Sequence, residues 1–133
     1  MNEIIKPQQD ESGELKISGR ELHMFLEVGT PYDKWFPRMS EYGFTEGIDF
    51  STKMSESTGG RPATDHLMTV DMAKEISMLQ RTKKGKEARQ YFLQLEKEWN
   101  SPEKVMARAL IMSKRMLDTA KLELAQSKQI INE

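Results

Sequence analysis

Few residues in this sequence are of types that could support chemistry, and their spacing does not assemble a catalytic site. Asp65 and His66 are adjacent in a segment with strand character, where neighbours point to opposite faces. We therefore do not expect an acid–base dyad, and no serine–histidine–acid arrangement or metal-ligand spacing is present. With no cysteine and two histidines, thiolate chemistry and a histidine-rich metal site are excluded. The sequence predicts a protein that is not an enzyme and uses no cofactor.

A glycine-rich segment, residues 59–62, contains Arg61 and allows two interpretations. Its backbone N–H groups could cradle a phosphate, but the lysine and serine of a P-loop are missing. A flexible turn is the simplest interpretation, and a loop that presents Arg61 to a protein partner is the alternative, because arginine is enriched in binding hot spots. His66 is interpreted similarly, as a structural hydrogen-bonding residue or as a partner-facing one.

The dense cluster of basic residues lies between residues 81 and 89. It consists of Arg81, Lys83, Lys84, Lys86 and Arg89, with Glu87 as the one acid. Such a cluster could bind an acidic protein surface or DNA phosphates, or it could be a solvated junction between two helices. The net charge of the whole chain is −1, which counts against DNA as the main partner.

Start and stop signals predict short elements in the first half of the chain. Residues 15–17 read as a strand, and Ser18 followed by Glu21 has the form of a capping box that begins a helix ending at Gly29. Thr30 and Pro31 begin a second helix. The two helices have the outline of a helix-turn-helix, and residues 46–70 predict an antiparallel hairpin beside it, in the position of a wing.

The second half of the chain is predicted to be helical. Thr69 begins one helix, and Ala88, Phe92 and Leu95 lie on the apolar stripe of the next. Ser101 and Pro102 then mark a break and a new helix start.

A seven-residue repeat follows and predicts a left-handed coiled coil. Residues 110, 117, 124 and 131 occupy a first seam, and residues 106, 113, 120 and 127 occupy a second. Pairing between chains, as a dimer or tetramer, is favoured over packing back on the same chain. The predicted oligomerisation residues are Met106, Leu110, Leu117, Ala120, Leu124 and Ile131. No helix stop signal precedes Glu133, so we expect the natural chain to continue.

Together these signals predict an α+β fold that is predominantly helical. Residues 1–14 are expected to be a flexible lead, residues 15–100 a small domain with a short hairpin, and residues 101–133 a long oligomerising helix. No apolar run approaches the ~18 residues that suggest a membrane span, and the N-terminus lacks a signal-peptide core. A cytoplasmic protein without membrane association is expected.

Several motifs occur in order between residues 15 and 99. They are Ile17–His23, Phe25–Tyr32, Trp35–Arg38, Tyr42–Gly47, Asp49–Phe50, Gly59–His66, Asp71–Ile76, Leu79–Arg81, Gly85–Lys86 and Ala88–Phe92. In this combination the sequence resembles the AntA/AntB family of phage antirepressors. Members of that family often carry a second, C-terminal domain of KilA-C type, thought to bind DNA, and this sequence has no segment that resembles it.

The resemblance implies a protein that relieves a phage repressor in the bacterial host and thereby favours lytic growth. It implies a repressor protein as the partner, and it transfers no functional residues to this chain. The alternative is a sequence-specific DNA-binding transcriptional regulator of helix-turn-helix type. That alternative requires salt-dependent DNA affinity carried by basic residues such as Lys83, Lys84 and Arg89.

Overall fold

Five helices and a four-stranded sheet make up the computed structural model, which describes residues 5–55 and 63–131. In chain order the elements are β1 (Gln8–Gln9), β2 (Leu15–Ser18), α1 (Gly19–Leu26), α2 (Tyr32–Ser40), β3 (Phe50–Ser55), β4 (Ala63–Thr69), α3 (Val70–Leu79), α4 (Lys83–Trp99) and α5 (Pro102–Ile131). This confirms the predicted α+β class with a long last helix. The chain divides into two compact units, residues 1–96 and 97–133, and each is described by itself.

The sheet joins strands that are far apart in the sequence. Its order is β1-β2-β4-β3, and every neighbouring pair is antiparallel. β3 and β4 form the predicted hairpin, with Phe50 opposite Met68 at one end and Ser55 opposite Ala63 at the other. Ile17 of β2 also lies opposite Met68, and both side chains are completely buried. The apolar cross-strand contact therefore fixes the register of β2 on β4.

Residues 5–14 differ from the expectation of a flexible lead. Ile5 is buried in the core, and β1 pairs with β2. Between these strands Asp10 accepts hydrogen bonds from the backbone N–H groups of Ser12 and Glu14, which closes a tight turn. The pKa of Asp10 is lowered, with the hydrogen bond from the Ser12 hydroxyl as the largest cause. This strand could not be read from sequence because two glutamines carry no hydrophobic alternation.

The first two helices begin and end through local contacts that partly differ from prediction. Ser18 caps α1, as expected, by accepting from the N–H of Glu21. Glu21 does not reach back to this cap, because its carboxylate instead accepts from the N–H of Lys6. α1 ends at Glu27, which adopts the left-handed conformation (φ 55°), whereas the sequence indicated Gly29. α2 has Pro31 at its N-cap and no side-chain cap, so Thr30 does not play that part.

The helices α3 and α4 close the core of residues 1–96. Thr69 caps α3, as predicted, through the N–H of Met72. Gly85 lies where α4 passes against α3, so close that a Cβ at this position would lie 2.5 Å from the Ser77 carbonyl oxygen. This approach allows Ala88 and Phe92 to pack completely buried among the core residues.

The long helix α5 begins at Pro102 after a Ser101 cap, as the sequence predicts. Near its start the Arg108 guanidinium lies 4.1 Å from the centre of the Trp99 ring and donates to the Trp99 carbonyl. Between residues 105 and 124, the large apolar side chains of α5 are exposed. They include Met106, Leu110, Leu117 and Leu124 of the predicted seams.

Candidate partner-binding site

His66 lies in a cluster of aromatic rings that also contains Tyr32, Phe36 and Phe50. Its ring is stacked on Phe36, with 3.7 Å between centroids and 5° between planes. His66 Nδ1 and the Tyr32 hydroxyl are hydrogen-bonded at 2.6 Å. The Phe50 ring approaches the imidazole edge-on at 5.7 Å. The structure thus places His66 in a structural hydrogen bond that ties α2 to β4.

Asp65 is the polar hub beside this cluster. Its carboxylate accepts from the Ser18 hydroxyl at 2.6 Å and from the Arg20 backbone N–H at 3.1 Å. Arg20 completes the link, because its Nε donates to the Thr64 carbonyl and its guanidinium lies 4.5 Å from the centre of the Tyr32 ring. These bonds hold the start of α1 against β4. The Asp65 carboxylate also accepts from the His66 backbone N–H at 2.7 Å, while the His66 ring contacts Tyr32 and Phe36.

Gly19 allows the close packing of this cluster, and burial determines its protonation. A Cβ at Gly19 would overlap the Tyr32 hydroxyl, so glycine is required for the tyrosine to reach His66. Burial, and then the negative charge of Asp65, raise the pKa of Tyr32 far above its usual range. Burial also lowers the pKa of His66, against the opposing effect of Asp65 and Glu46. Both groups are therefore neutral near pH 7, where the hydrogen bond between them stabilises the fold.

We predict that acidification weakens the fold through His66. The folded state favours the neutral imidazole, whereas the unfolded chain takes up the proton near the usual pKa of 6.5. The contribution of His66 is complete above that pH and is lost as the pH falls below it. Urea unfolding between about pH 7.5 and pH 5.5 should show a falling free energy of unfolding, in the range where histidine titrates.

In the His66→Asn variant the decline over the same range should be shallower, whereas His23→Asn should retain it. An equal slope for the wild type and His66→Asn would contradict the prediction.

A basic face lies on the turn between α3 and α4 and consists of Arg81, Lys83, Lys86 and Arg89. All four side chains are exposed, and none forms an ion pair with the residues that the structure describes. Arg81, Lys86 and Arg89 line a shallow depression together with Met78, which is 51% exposed. Arg81 adopts the left-handed conformation (φ 51°) that turns the chain from α3 into α4. An exposed apolar side chain ringed by cations suits binding to an acidic protein surface.

Lys84 does not belong to this face, although it lies within the same run of basic residues. Its ammonium is 4.0 Å from Glu27 and 3.7 Å from Glu87, and it lies 5.1 Å from the centre of the Phe25 ring. The reason is helical geometry, since adjacent residues on α4 project about 100° apart. Lys84 thus contacts α1, while Lys83, Lys86 and Arg89 remain available.

The remaining candidates fall elsewhere. Arg61 lies outside the described residues, so its position is not assigned. The exposed side chains of α2, which would be the reading helix of a helix-turn-helix, include Asp33, Lys34 and Arg38. This mixture of charges, with Pro37 inside the helix, does not form a basic surface for DNA. The basic run lies at a junction between two helices, as one of its interpretations expected, but its sequence did not show that Met78 lies beside it.

The described residues also bear on metal binding and membrane association. In residues 5–55 and 63–131 no His, Cys, Asp or Glu side chains are grouped so as to hold a metal ion. No helix in the same part of the chain is both long and apolar enough to cross a membrane.

Comparison with known proteins identifies the domain that carries these features. The family model described as AntA/AntB antirepressor matches residues 17–82. The match includes the His66 cluster and Arg81, and it ends just before α4. No curated protein and no solved structure matches the chain. Residues 17–82 therefore form a domain of the AntA/AntB antirepressor family, which is a regulatory family.

Proposed function

We propose that this protein is a phage antirepressor that binds a repressor protein and relieves repression of lytic genes in the bacterial host. The AntA/AntB domain supports the role, and the basic face supports the way in which the partner is bound. Arg81, Lys83, Lys86 and Arg89 form no ion pair with the residues that the structure describes, and three of them, Arg81, Lys86 and Arg89, line the depression that contains the exposed Met78. An acidic patch on the repressor that covers this face would pair these charges and bury Met78.

We further propose that the protein self-associates through α5. The exposed leucines Leu110, Leu117 and Leu124 recur every seven residues along α5. Several copies of the basic face in one assembly would engage a multimeric repressor more tightly than one copy alone. His66 and Arg61 were also candidates for partner contact. The contacts of His66 with Tyr32 and Phe36 favour a structural role for His66. The basic face is therefore the better candidate for partner contact.

The test is release of the repressor from its operator. Labelled operator DNA is bound by the cognate repressor, the purified protein is added, and fluorescence anisotropy follows the release. The variant Lys86→Glu/Arg89→Glu should need at least about tenfold more protein for the same release, because two contacts across the interface become repulsive.

The matched control is Lys34→Glu/Arg38→Glu on α2, which makes the same change in net charge and should release the operator like the wild type. Equal loss in both variants would contradict a specific basic face. If the protein alone binds the operator in a salt-dependent way and either double variant abolishes this binding, the DNA-binding alternative is correct instead.

A further inference from the structure

The arrangement of side chains around α5 determines how two copies would pair. We propose that α5 associates with α5 of a second copy in the antiparallel orientation, in a register that places Leu110 against Ser127 of the other chain. This inference rests on the proposed self-association and adds its geometry. It is carried by the difference in size between the residues of the two seams.

The seams of α5 differ in size. The first seam carries Leu110, Leu117 and Leu124, whereas the second carries Ser113, Ala120 and Ser127 after Met106. In a parallel pair each seam meets its own copy, so that leucine layers alternate with layers of small residues that leave gaps. In an antiparallel pair the first seam meets the second. Every leucine then packs against a small residue, and the two helices can approach closely along their whole length.

One register places every leucine of the first seam against a small residue of the second seam. It pairs residue 110 with residue 127, residue 113 with residue 124, and residue 117 with residue 120 of the other copy. The arrangement has twofold symmetry, since each of these contacts occurs twice with the chains exchanged. Leu110 then lies about 25 Å along the axis from Leu110 of the other copy, at 1.5 Å per residue.

The absence of cysteine makes disulfide trapping a clean test of this geometry. Leu110→Cys and Ser127→Cys are made singly and together in the full chain, then oxidised under native conditions and analysed by non-reducing gels and peptide mapping. We expect the double variant to form a covalent dimer through a 110–127 disulfide, and each single variant to stay uncrosslinked. Arg115→Cys, on the side of α5 away from both seams, is the control for random collision and should not crosslink.

Light scattering of the same samples tests self-association separately from the antiparallel orientation. Leu117→Glu places a charge in the first seam and should reduce the native mass to that of one chain. If the wild type already has the mass of one chain, self-association fails, and the orientation fails with it. If the wild type is oligomeric but Leu110→Cys alone crosslinks efficiently, self-association stands and the antiparallel orientation is overturned. Release of the operator by the protein is measured independently of both.

Discussion

Replacing Phe92 with alanine is expected to lower the free energy of unfolding by about 3–5 kcal/mol, the usual cost of removing a buried aromatic ring. Phe92 is completely buried and is among the largest side chains in the core. Its removal would leave a cavity that the surrounding helices cannot collapse to fill. Because small domains are stable by only about 5–15 kcal/mol in total, this change alone should bring residues 1–96 close to unfolding at 37 °C.

The measurement is urea unfolding followed by circular dichroism, with Leu93→Ala as the matched control. Leu93 is the next residue on α4 and is 41% exposed, so its truncation should cost far less. Equal losses for the two variants would show that α4 does not pack on the core as the structure has it. A large loss for Phe92→Ala alone would establish α4 as part of the folded domain, although it lies beyond the residues that match the family.

Gly85→Ala is expected to destabilise the same unit by about 1–3 kcal/mol, the range for overpacking a close contact. Alanine is normally favoured over glycine within a helix by about 1 kcal/mol, so the sign of the effect is itself informative. Here the added Cβ would meet the Ser77 carbonyl oxygen at 2.5 Å, and a backbone atom cannot rotate away. The helices α3 and α4 would have to separate, which would loosen the packing of Ala88 and Phe92.

Thermal unfolding of Gly85→Ala and of Gly29→Ala provides the comparison. Gly29 is exposed and has no atom within 4 Å of an added Cβ, so alanine should be tolerated there. A melting temperature for Gly85→Ala equal to or above that of the wild type would mean that α3 and α4 are further apart than described.

The helices and the hairpin could be predicted because their signals are local. Ser18, Thr69 and Ser101 each precede a helix that begins where the residue type indicates, and each caps it through a side-chain oxygen. The hairpin of β3 and β4 follows from alternation in the two segments that flank the glycine-rich sequence 59–62. The left-handed residue that ends α1 could not be assigned correctly, since glycine favours this conformation generally and Glu27 adopts it here.

The contacts of the site were harder to predict from the sequence because they join residues that are far apart in the chain. Tyr32 and His66 are separated by 34 positions and meet only because the β2–β4 pairing and the packing of α2 bring them together. No local spacing encodes such a contact. The division of the basic run into Lys84 and the basic face could have been foreseen from helical periodicity, once the start of α4 at Lys83 was recognised.

The stretch that matches the family is not the stretch that can fold alone. Residues 17–82 exclude Ile5 on one side and Ala88 and Phe92 on the other, and all three belong to the shared apolar interior. A fragment cut to the matched limits would expose the surfaces that these side chains cover and would aggregate or stay unfolded. Residues 5–95 are the shortest piece that keeps every buried and partly buried apolar side chain of this interior, and they set the limits for any autonomous version of this antirepressor domain.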